Sequence, residues 1–270
     1  MSLPSLSIIT PSYNQGEFIE HTIRSVLDQG YPSLQYQVMD GGSTDATVEI
    51  LRRYGDRLQW VSEKDGGQAA ALNEGFRRTD GEIIGWINSD DLYAPGALET
   101  VGRYFVEHPE VEWLYGKCPI IDRLGQSHKN WVTKYKEFWM KRYSYQRYLI
   151  ENFISQPAVF FRRRLLERVG PIDDHYHCAF DYHLFVRMAT VSRPAFLDRE
   201  LAYFRSYGEN KSSAVYQRSF TEELDAARRV AAGKHPVLML LHQVNRLKLT
   251  LAYDLLAILS ARRKRVGASR

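Results

Sequence analysis

The stretch GEIIGWINSDDLYAPGAL, residues 81–98, sets a short apolar run directly against two adjacent carboxylates. The run from Ile83 to Ile87 is typical of a buried strand, and Asp90 and Asp91 follow within a few residues. Adjacent like charges repel unless a cation lies between them, and Mg²⁺ or Mn²⁺ suits such a carboxylate pair. A helix N-cap is the alternative, but one Asp is enough for a cap, so the pair favours a metal site.

Strand and helix patterns alternate on both sides of this stretch. Short apolar runs predict strands at 6–10, 34–40, 57–63, 82–88 and 111–116. Apolar residues at helical spacing predict helices at 18–27, 44–54, 67–78 and 95–109. Helical connections of this length imply right-handed crossovers and a mainly parallel sheet. The expected fold class is therefore α/β, a single Rossmann-like domain with a mainly parallel central sheet and a C-terminal helical extension.

Polar clusters follow four of the predicted strands. They are Thr10–Tyr13, Asp40–Ser43, Glu63–Asp65 and Asn88–Asp91. Turn formation explains any one of them, but four clusters at one sheet edge indicate a ligand site, because parallel sheets bind ligands beyond the carboxyl ends of their strands. The sequence contains neither GxGxxG nor GxxxxGK[ST], which counts against the usual dinucleotide and P-loop sites.

The pattern changes after residue 120. Aromatic and basic residues interleave over 129–153, which suits binding of an acceptor's lipid or phosphate, stacking on single-stranded nucleic acid, or simple helix packing with snorkelling basic side chains. A strand is predicted at 158–161, a helix at 180–190 and another strand-like segment at 194–205. Residues 236–261 carry the apolar spacing of an amphipathic helix.

Composition limits the class of protein. The composition of the 270 residues is ordinary for a globular protein. Cys118 and Cys178 suggest no disulfide framework, so we expect a reducing compartment. We expect no signal peptide and no membrane-spanning segment. The net charge of +4 divides into +7 for Lys234 to Arg270 and −3 for the rest. A basic tail suits an anionic membrane or polyanion, although a solvated tail explains the charge equally well.

The motifs taken together resemble family 2 of the nucleotide-sugar glycosyltransferases, which have the A-type glycosyltransferase fold. The resemblance rests on SIITPSYNQGEFIEHTIRSVLDQGYP, VMDGGSTDATVEIL, SEKDGGQAAALNEGF and GWINSDDLYAPGAL, followed by YGKCPIIDRLG, ISQPAVFFRRRLLERVGPIDD and AFDYHLFVRM. It covers most of residues 5–215. It implies a transferase domain at 1–215, with a nucleotide-sugar-binding half (1–120) and an acceptor-binding half (121–215), and a helical extension with a basic tail at 216–270.

The resemblance also implies a role for each matching residue. The nucleotide-binding residues would be Thr10, Pro11, Tyr13, Asp40, Lys64, Asp65, Asn73, Asp90, Arg205 and Lys211. Tyr13 would stack on the nucleobase, Asp40 would accept a hydrogen bond from it, and Arg205 and Lys211 would contact the diphosphate. Asp90 and Asp91 would bind Mg²⁺ or Mn²⁺, with Asp91 as the direct ligand, and the metal would neutralise the departing diphosphate.

Asp181 matches the family's catalytic base, which removes the proton of the attacking acceptor hydroxyl. Without the family, a helix N-cap would be the better explanation of Asp181. Gln156 and His183 would lie at the acceptor site, although His183 stands where related sequences often have Asp. Tyr207 stands where many members have a metal-binding His, which lowers the expected metal affinity. His175, His177 and Cys178 suit zinc ligands, but a loop beside the acceptor site explains them better.

The expected function is that of an inverting, metal-dependent glycosyltransferase that uses an NDP-sugar, most simply a UDP-sugar. Its acceptor would be a saccharide, glycolipid or lipid-linked molecule in cell-surface polysaccharide or glycan biosynthesis. The alternatives are a nucleotidyltransferase acting on a sugar phosphate and a catalytically degenerate protein that only binds nucleotide sugars. We expect a cytoplasmic protein and no nucleic-acid partner. The C-terminal helix would lie on an anionic membrane at the inner face of the cell membrane, or dock onto the domain or a second subunit of a homodimer.

Overall fold

A computed structural model describes residues 2–127, 131–207 and 216–267. The strands are β1 (Leu6–Ser12), β2 (Leu34–Asp40), β3 (Gln59–Ser62), β4 (Ile83–Trp86), β5 (Leu92–Tyr93), β6 (Trp113–Lys117), β7 (Ile120–Ile121), β8 (Val159–Arg162), β9 (Ala195–Glu200) and β10 (Ala202–Arg205). The helices are α1 (Ile19–Leu27), α2 (Thr47–Arg53), α3 (Gln68–Arg77), α4 (Ala97–Glu107), α5 (Trp131–Met140), α6 (Tyr145–Ile150), α7 (Arg163–Val169), α8 (Phe180–Val191), α9 (Tyr216–Ala231) and α10 (Pro236–Gly267).

Seven strands form one sheet in the order β3-β2-β1-β4-β8-β6-β9. Strands β1 to β4 are mutually parallel where they pair, and β8 alone runs antiparallel, to both β4 and β6. The predicted α/β class with a mainly parallel sheet is therefore confirmed. The two-residue strands β5 and β7 were not predicted, and they pair with β10 in a small second sheet.

Side-chain alternation along the strands builds two hydrophobic cores, one on each face of the sheet. Ile8 and Ile83 pack with α1, α2 and α4, whereas their neighbours Ile9 and Ile84 pack with α3, α7 and α8. Both pairs are completely buried. Since successive strand residues point to opposite faces, an apolar run buried on both sides is what a parallel sheet covered by helices requires.

Helices α9 and α10 join the same core and do not form a separate unit. Ala226, Ala227 and Ala231 of α9 are buried in the core that contains α8, and Met239 of α10 packs there too. In the segment from 216 onwards, expected from the sequence to be an extension, α9 thus packs on α8 and the first turns of α10 pack beside it. No helix in the described part of the chain combines the length and the apolar character that a membrane span needs.

Candidate active site

A cavity of about 750 Å³ opens at the carboxyl ends of the parallel strands. The loops after β1, β2, β3 and β4 form one wall, so all four polar clusters that follow these strands contribute to it. The start of α8, the loop before it, the end of β10 and one turn of α9 form a second wall. A volume of this size is typical of sites for small organic ligands and cofactors.

Hydrogen bonds tie the loops after β1 and β2 to each other. The Asn14 backbone N–H donates to the Ser43 hydroxyl at 2.7 Å, and the Asn14 side-chain oxygen accepts from the Thr44 N–H at 2.8 Å. Gly42 has a positive φ of 80°, which a residue with a side chain adopts only with strain. The wall beside Tyr13 is therefore fixed by the backbone, while the Tyr13 side chain is 61% exposed and accessible to a flat ring.

Of the fourteen residues predicted to be catalytic, to bind nucleotide or metal or to contact the acceptor, the structure brings seven to this cavity: Pro11, Tyr13, Lys64, Asp65, Asp90, Gln156 and Asp181. Asp40 lies buried behind Gly41, where its carboxylate accepts hydrogen bonds from the Ser43 N–H and from the Ser62 hydroxyl. Its contact with a nucleobase stays a prediction. Lys211 lies outside the described residues.

Asp90 faces the cavity, and its carboxylate accepts a hydrogen bond from Tyr207. The Tyr207 hydroxyl donates to its Oδ2 at 3.0 Å, and the Tyr207 ring lies 4.9 Å from the Phe18 ring, with the Arg123 guanidinium over both. Burial raises the pKa of Asp90, and the hydrogen bond from Tyr207 opposes that rise. Burial and the charge of Asp90 raise the pKa of the Tyr207 hydroxyl, so the hydroxyl stays protonated and acts as the donor.

Asp91, which was predicted to be the direct metal ligand, does not reach the cavity. It is completely buried; its Oδ1 accepts from the Arg205 backbone N–H at 2.9 Å and its Oδ2 from the Asn88 amide at 3.2 Å. Burial and the neighbouring Asp90 raise the pKa of Asp91 well above its usual value. Asp91 therefore fixes the loop, and of the adjacent pair it is Asp90 that lines the cavity.

Arg205 was predicted to contact the diphosphate, but its guanidinium is buried and engaged elsewhere. It donates to the backbone oxygens of Asp90, Asp122 and Arg123, at 2.7, 3.2 and 2.8 Å. The side chain is 1% exposed. Arg205 thus ties the end of β10 to the loop that carries Asp90, and its contact with a diphosphate stays a prediction.

Three further predicted residues serve the fold. The Thr10 hydroxyl is buried against the Tyr36 hydroxyl, and the Asn73 amide exchanges two hydrogen bonds with the backbone of Ile172. His183, predicted at the acceptor site, is 7% exposed and packs on the Tyr176 ring. Burial and the charge of a nearby arginine lower the pKa of His183 to about 4, so it is neutral at pH 7. None of these three side chains lines the cavity.

Asp181 lies in the first turn of α8, at the cavity. Its Oδ1 accepts from the Tyr182 N–H at 2.7 Å, and the positive end of the helix dipole stabilises its negative charge. The turn before α8 is held by α9, because the Glu222 carboxylate accepts from the N–H groups of Cys178 and Ala179 at 2.6 and 3.1 Å. A carboxylate so placed can accept a proton from a bound hydroxyl.

A second carboxyl group, that of Glu223, lies behind Asp181. Its Oε1 accepts from the Asn152 amide at 3.2 Å. Burial raises the pKa of Glu223 to about 7, and the charges of Asp181 and Glu151 add to the rise. Glu223 was not singled out from the sequence, since nothing in its spacing shows that α9 packs beside α8.

Further residues line the cavity for which no role was predicted. Gln68 donates to the Asn88 side-chain oxygen at 2.8 Å, and Asn88 contacts both Asp91 and Gln156, so an amide network connects α3 to Gln156. Asn88 belongs to the polar cluster that follows β4, whereas Gln68 and Ser219 of α9 were not singled out from the sequence. His177 and Cys178 line the cavity too, yet the described residues contain no group of three or more potential metal ligands.

The residues present fit a divalent cation that the substrate helps to hold. Asp90 offers a carboxylate at the cavity wall, and Mg²⁺ is commonly bound by one or two carboxylates together with phosphate oxygens and water. Lys64 lies on the same cavity, where an ammonium group can face a second phosphate oxygen. The donor set thus suits a diphosphate-bound metal better than a permanent one.

Comparison with known proteins places the chain in a family. The model of glycosyl transferase family 2 matches residues 7–170. An uncharacterised glycosyltransferase of Rickettsia typhi is 28% identical over 206 residues, which are 73% of this chain and 62% of that relative. A PGL/p-HBAD biosynthesis glycosyltransferase of Mycobacterium bovis is 27% identical over 238 residues, covering 85% of this chain and 88% of the relative.

Solved structures share the fold. S. aureus TarS in complex with UDP-GlcNAc superposes with a TM-score of 0.67 at 19% identity, over 85% of this chain and 67% of that one. The mannosyltransferase PcManGT of Pyrobaculum calidifontis, in complex with GDP-Man and Mn²⁺, superposes with a TM-score of 0.66 at 20% identity, over 97% and 81%. The family match covers more than half of the chain. The chain belongs to glycosyl transferase family 2.

Proposed function

We propose that this protein transfers a sugar from an NDP-sugar, most simply a UDP-sugar, to an acceptor hydroxyl, with inversion at the anomeric carbon. The observation that carries the proposal is that Asp90 and Asp181 line the same cavity, one from each wall. One carboxylate suits the diphosphate side of a donor, and the other suits a hydroxyl that attacks from the opposite side. The donors bound to TarS and to PcManGT, UDP-GlcNAc and GDP-Man, support a nucleotide sugar as the class of donor.

The donor would lie along the wall formed by the first four strands. Tyr13 offers an exposed ring for stacking on the base, and Asp40 lies close by, behind Gly41. Lys64 and Asp65 follow β3 at the same edge and suit the ribose and the diphosphate. UDP is our choice of nucleotide because the resemblance points to uracil, and TarS binds UDP-GlcNAc.

A divalent cation, Mg²⁺ or Mn²⁺, would be held by Asp90 together with the diphosphate. When bound, the cation supplies positive charge to the leaving diphosphate. The protein's part is to keep the Asp90 carboxylate at the cavity wall, which Tyr207 and the Arg205 contact with the Asp90 backbone achieve. PcManGT was solved with Mn²⁺, which supports a metal of this class here.

Asp181 would act as the general base. An attacking hydroxyl becomes nucleophilic as its proton moves to a carboxylate within hydrogen-bond distance. The α8 dipole stabilises negative charge on Asp181, and the hydrogen bonds to Glu222 hold the turn that precedes it. Gln156, which donates to the backbone oxygen of Trp86 at 2.8 Å, lines the same cavity and suits contact with a sugar hydroxyl.

The acceptor would be a saccharide or a lipid-linked molecule used for cell-surface glycans. This rests on the names of relatives, since a PGL/p-HBAD biosynthesis enzyme and a Bacillus subtilis protein named for teichuronic acid biosynthesis match parts of the chain. We place the reaction in the cytoplasm, at the inner face of the cell membrane, and leave a homodimer as an alternative to the monomer. The chain spans 62% of the first Rickettsia relative, so its whole activity is part of the proposal.

A product assay tests the proposed function against its nearest rival. Incubation with UDP-sugars or GDP-sugars and Mn²⁺ should release the nucleoside diphosphate. A nucleotidyltransferase, by contrast, would release pyrophosphate from a nucleoside triphosphate and a sugar phosphate. Pyrophosphate release, with no diphosphate formed from any nucleotide sugar, would replace the proposed reaction by that rival. Nucleotide-sugar binding without either product would indicate a degenerate transferase.

A further inference from the structure

The outward face of α10 is an apolar stripe with nothing packed on it in the described chain. Its members are between 46% and 69% exposed and are Val237, Leu240, Leu241, Val244, Leu247 and Leu251. They recur every three or four residues and therefore share one side of the helix. At 1.5 Å per residue the stripe is about 21 Å long. Monomeric soluble proteins seldom expose a contiguous apolar surface of this extent without a function.

The opposite side of α10 packs against α6 and α9. The stripe is therefore the exposed side of a helix that is fixed to the domain. Met239 and His242 are buried, and the His242 Nδ1 is 2.6 Å from the backbone oxygen of Leu149 on α6. The Arg246 guanidinium donates to the Thr221 hydroxyl on α9 at 3.3 Å. Turning the stripe inward would break these contacts, so its occupant must come from outside the described chain.

Charge distinguishes the two occupants that could cover the stripe, a second copy of the chain and an anionic surface. The segment from Lys234 to Arg270 carries a net charge of +7, and its single acidic residue, Asp254, accepts a hydrogen bond from Tyr216 on α9. Lys248 is exposed beside the stripe, and four consecutive basic residues, 262–265, occupy the last turns of α10. A second copy of the chain would bring the same positive charge to the stripe, whereas an anionic surface would neutralise it.

We propose that α10 lies flat on an anionic lipid bilayer, with the apolar stripe in the interface and the basic residues among the headgroups. An amphipathic helix binds in this way when apolar burial and attraction to anionic lipid act together. The surface belongs to the helix and not to the catalytic cavity, so lipid binding does not depend on sugar transfer. For a lipid-linked acceptor, it would bring the cavity to the membrane that holds the substrate.

Vesicle flotation of the full chain tests this proposal. The protein should float with vesicles of phosphatidylcholine containing 30% phosphatidylglycerol, about tenfold more than with phosphatidylcholine alone, and less at high salt. The double substitution Leu240→Glu with Leu247→Glu should abolish flotation, because it places two charges in the stripe. Leu124→Glu is the matched control: Leu124 is 82% exposed in the loop after β7 and should not affect flotation.

Thermal unfolding of each variant, and light scattering of its mass in solution, accompany the flotation. Equal unfolding temperatures would show that the double variant is folded. Equal flotation on charged and uncharged vesicles, or unchanged flotation of the folded double variant, would overturn the proposal. A dimer that the double substitution splits, with no flotation of the unmodified chain, would overturn it too and make the stripe a contact between copies.

Discussion

At the scale of single residues, two partners would compete for the Asp90 carboxylate. Tyr207 donates a hydrogen bond to it, and a divalent cation would need the same carboxylate as a ligand. The aromatic contact with Phe18 and the guanidinium of Arg123 hold the Tyr207 ring in place, so the hydrogen bond is part of a fixed arrangement. We therefore expect the cation to bind weakly to the protein alone and well only together with the diphosphate.

Tyr207→Phe tests this competition directly. Removal of the hydroxyl frees the carboxylate, and a hydrogen bond to a charged group contributes about 1.5–3 kcal/mol net, so Mn²⁺ affinity without nucleotide should rise about tenfold or more. Electron paramagnetic resonance of free Mn²⁺ measures that affinity without any activity assay. Tyr203→Phe on β10, whose hydroxyl contacts Glu200, is the matched control. Unchanged or weaker Mn²⁺ binding by Tyr207→Phe would show that Tyr207 does not compete.

The sequence predicts these residues only in part, for a physical reason. The motifs locate Asp90 and Asp181, because strand ends and helix starts are local features. They do not show which of two adjacent carboxylates faces the cavity. That choice depends on the Arg205 backbone, which binds Asp91 from 114 positions away. The sequence predicts Arg205 as an anion-binding residue, but in the structure its buried guanidinium donates hydrogen bonds to three backbone carbonyls.

At the scale of secondary-structure elements, α9 connects the fold to the chemistry. Burial alone would raise the pKa of Glu222, but hydrogen bonds from the N–H groups of Cys178 and Ala179 and from Arg218 outweigh it and lower the pKa. The next residue, Glu223, behaves oppositely, because its burial beside Asp181 raises its pKa. One helix thus presents an ionised carboxylate to the turn before α8 and a carboxyl that resists ionisation beside Asp181.

Glu223 predicts a pH dependence of stability. Its pKa is about 7 in the folded protein against 4.5 in the unfolded chain, so the folded state holds the proton more tightly. The contribution of Glu223 to the free energy of unfolding amounts to at most about 3 kcal/mol. It is fully present below pH 4.5 and is lost as the pH rises to about 7. Glu223→Gln should flatten the fall in the free energy of unfolding between pH 5 and pH 8, measured by urea denaturation.

The exposed Glu99→Gln on α4 is the control and should keep the fall seen in the unmodified protein. An unchanged pH dependence in Glu223→Gln would remove Glu223 from this role. Periodicity located five strands of the seven-stranded sheet, β1 to β4 and β6, and a helical extension was predicted over 216–270. Periodicity does not show which face of a later helix meets the cavity, since that depends on packing between distant elements.

At the scale of the whole molecule, two separate parts of the chain line the cavity. The first 90 residues supply the wall proposed for the donor, and residues from 156 to 219 supply the second wall. The charge is divided as well, with a net −3 over residues 1–233 and +7 beyond. Such a division suits a protein whose body holds a soluble donor while its last helix rests on an anionic surface. The central claim remains that the two walls act together on one nucleotide sugar.

The most direct test combines donor binding with product release in the unmodified protein and in Asp181→Asn. With Mn²⁺ present, the nucleotide sugar that serves as donor should raise the unfolding temperature of both proteins equally, because stabilisation follows affinity and Asp181 lies outside the wall proposed for the donor. Only the unmodified protein should release the nucleoside diphosphate at full rate, and Asp181→Asn should be slower by about a hundredfold or more. Full release by the folded Asp181→Asn protein, or stabilisation by no nucleotide sugar at all, would contradict the account.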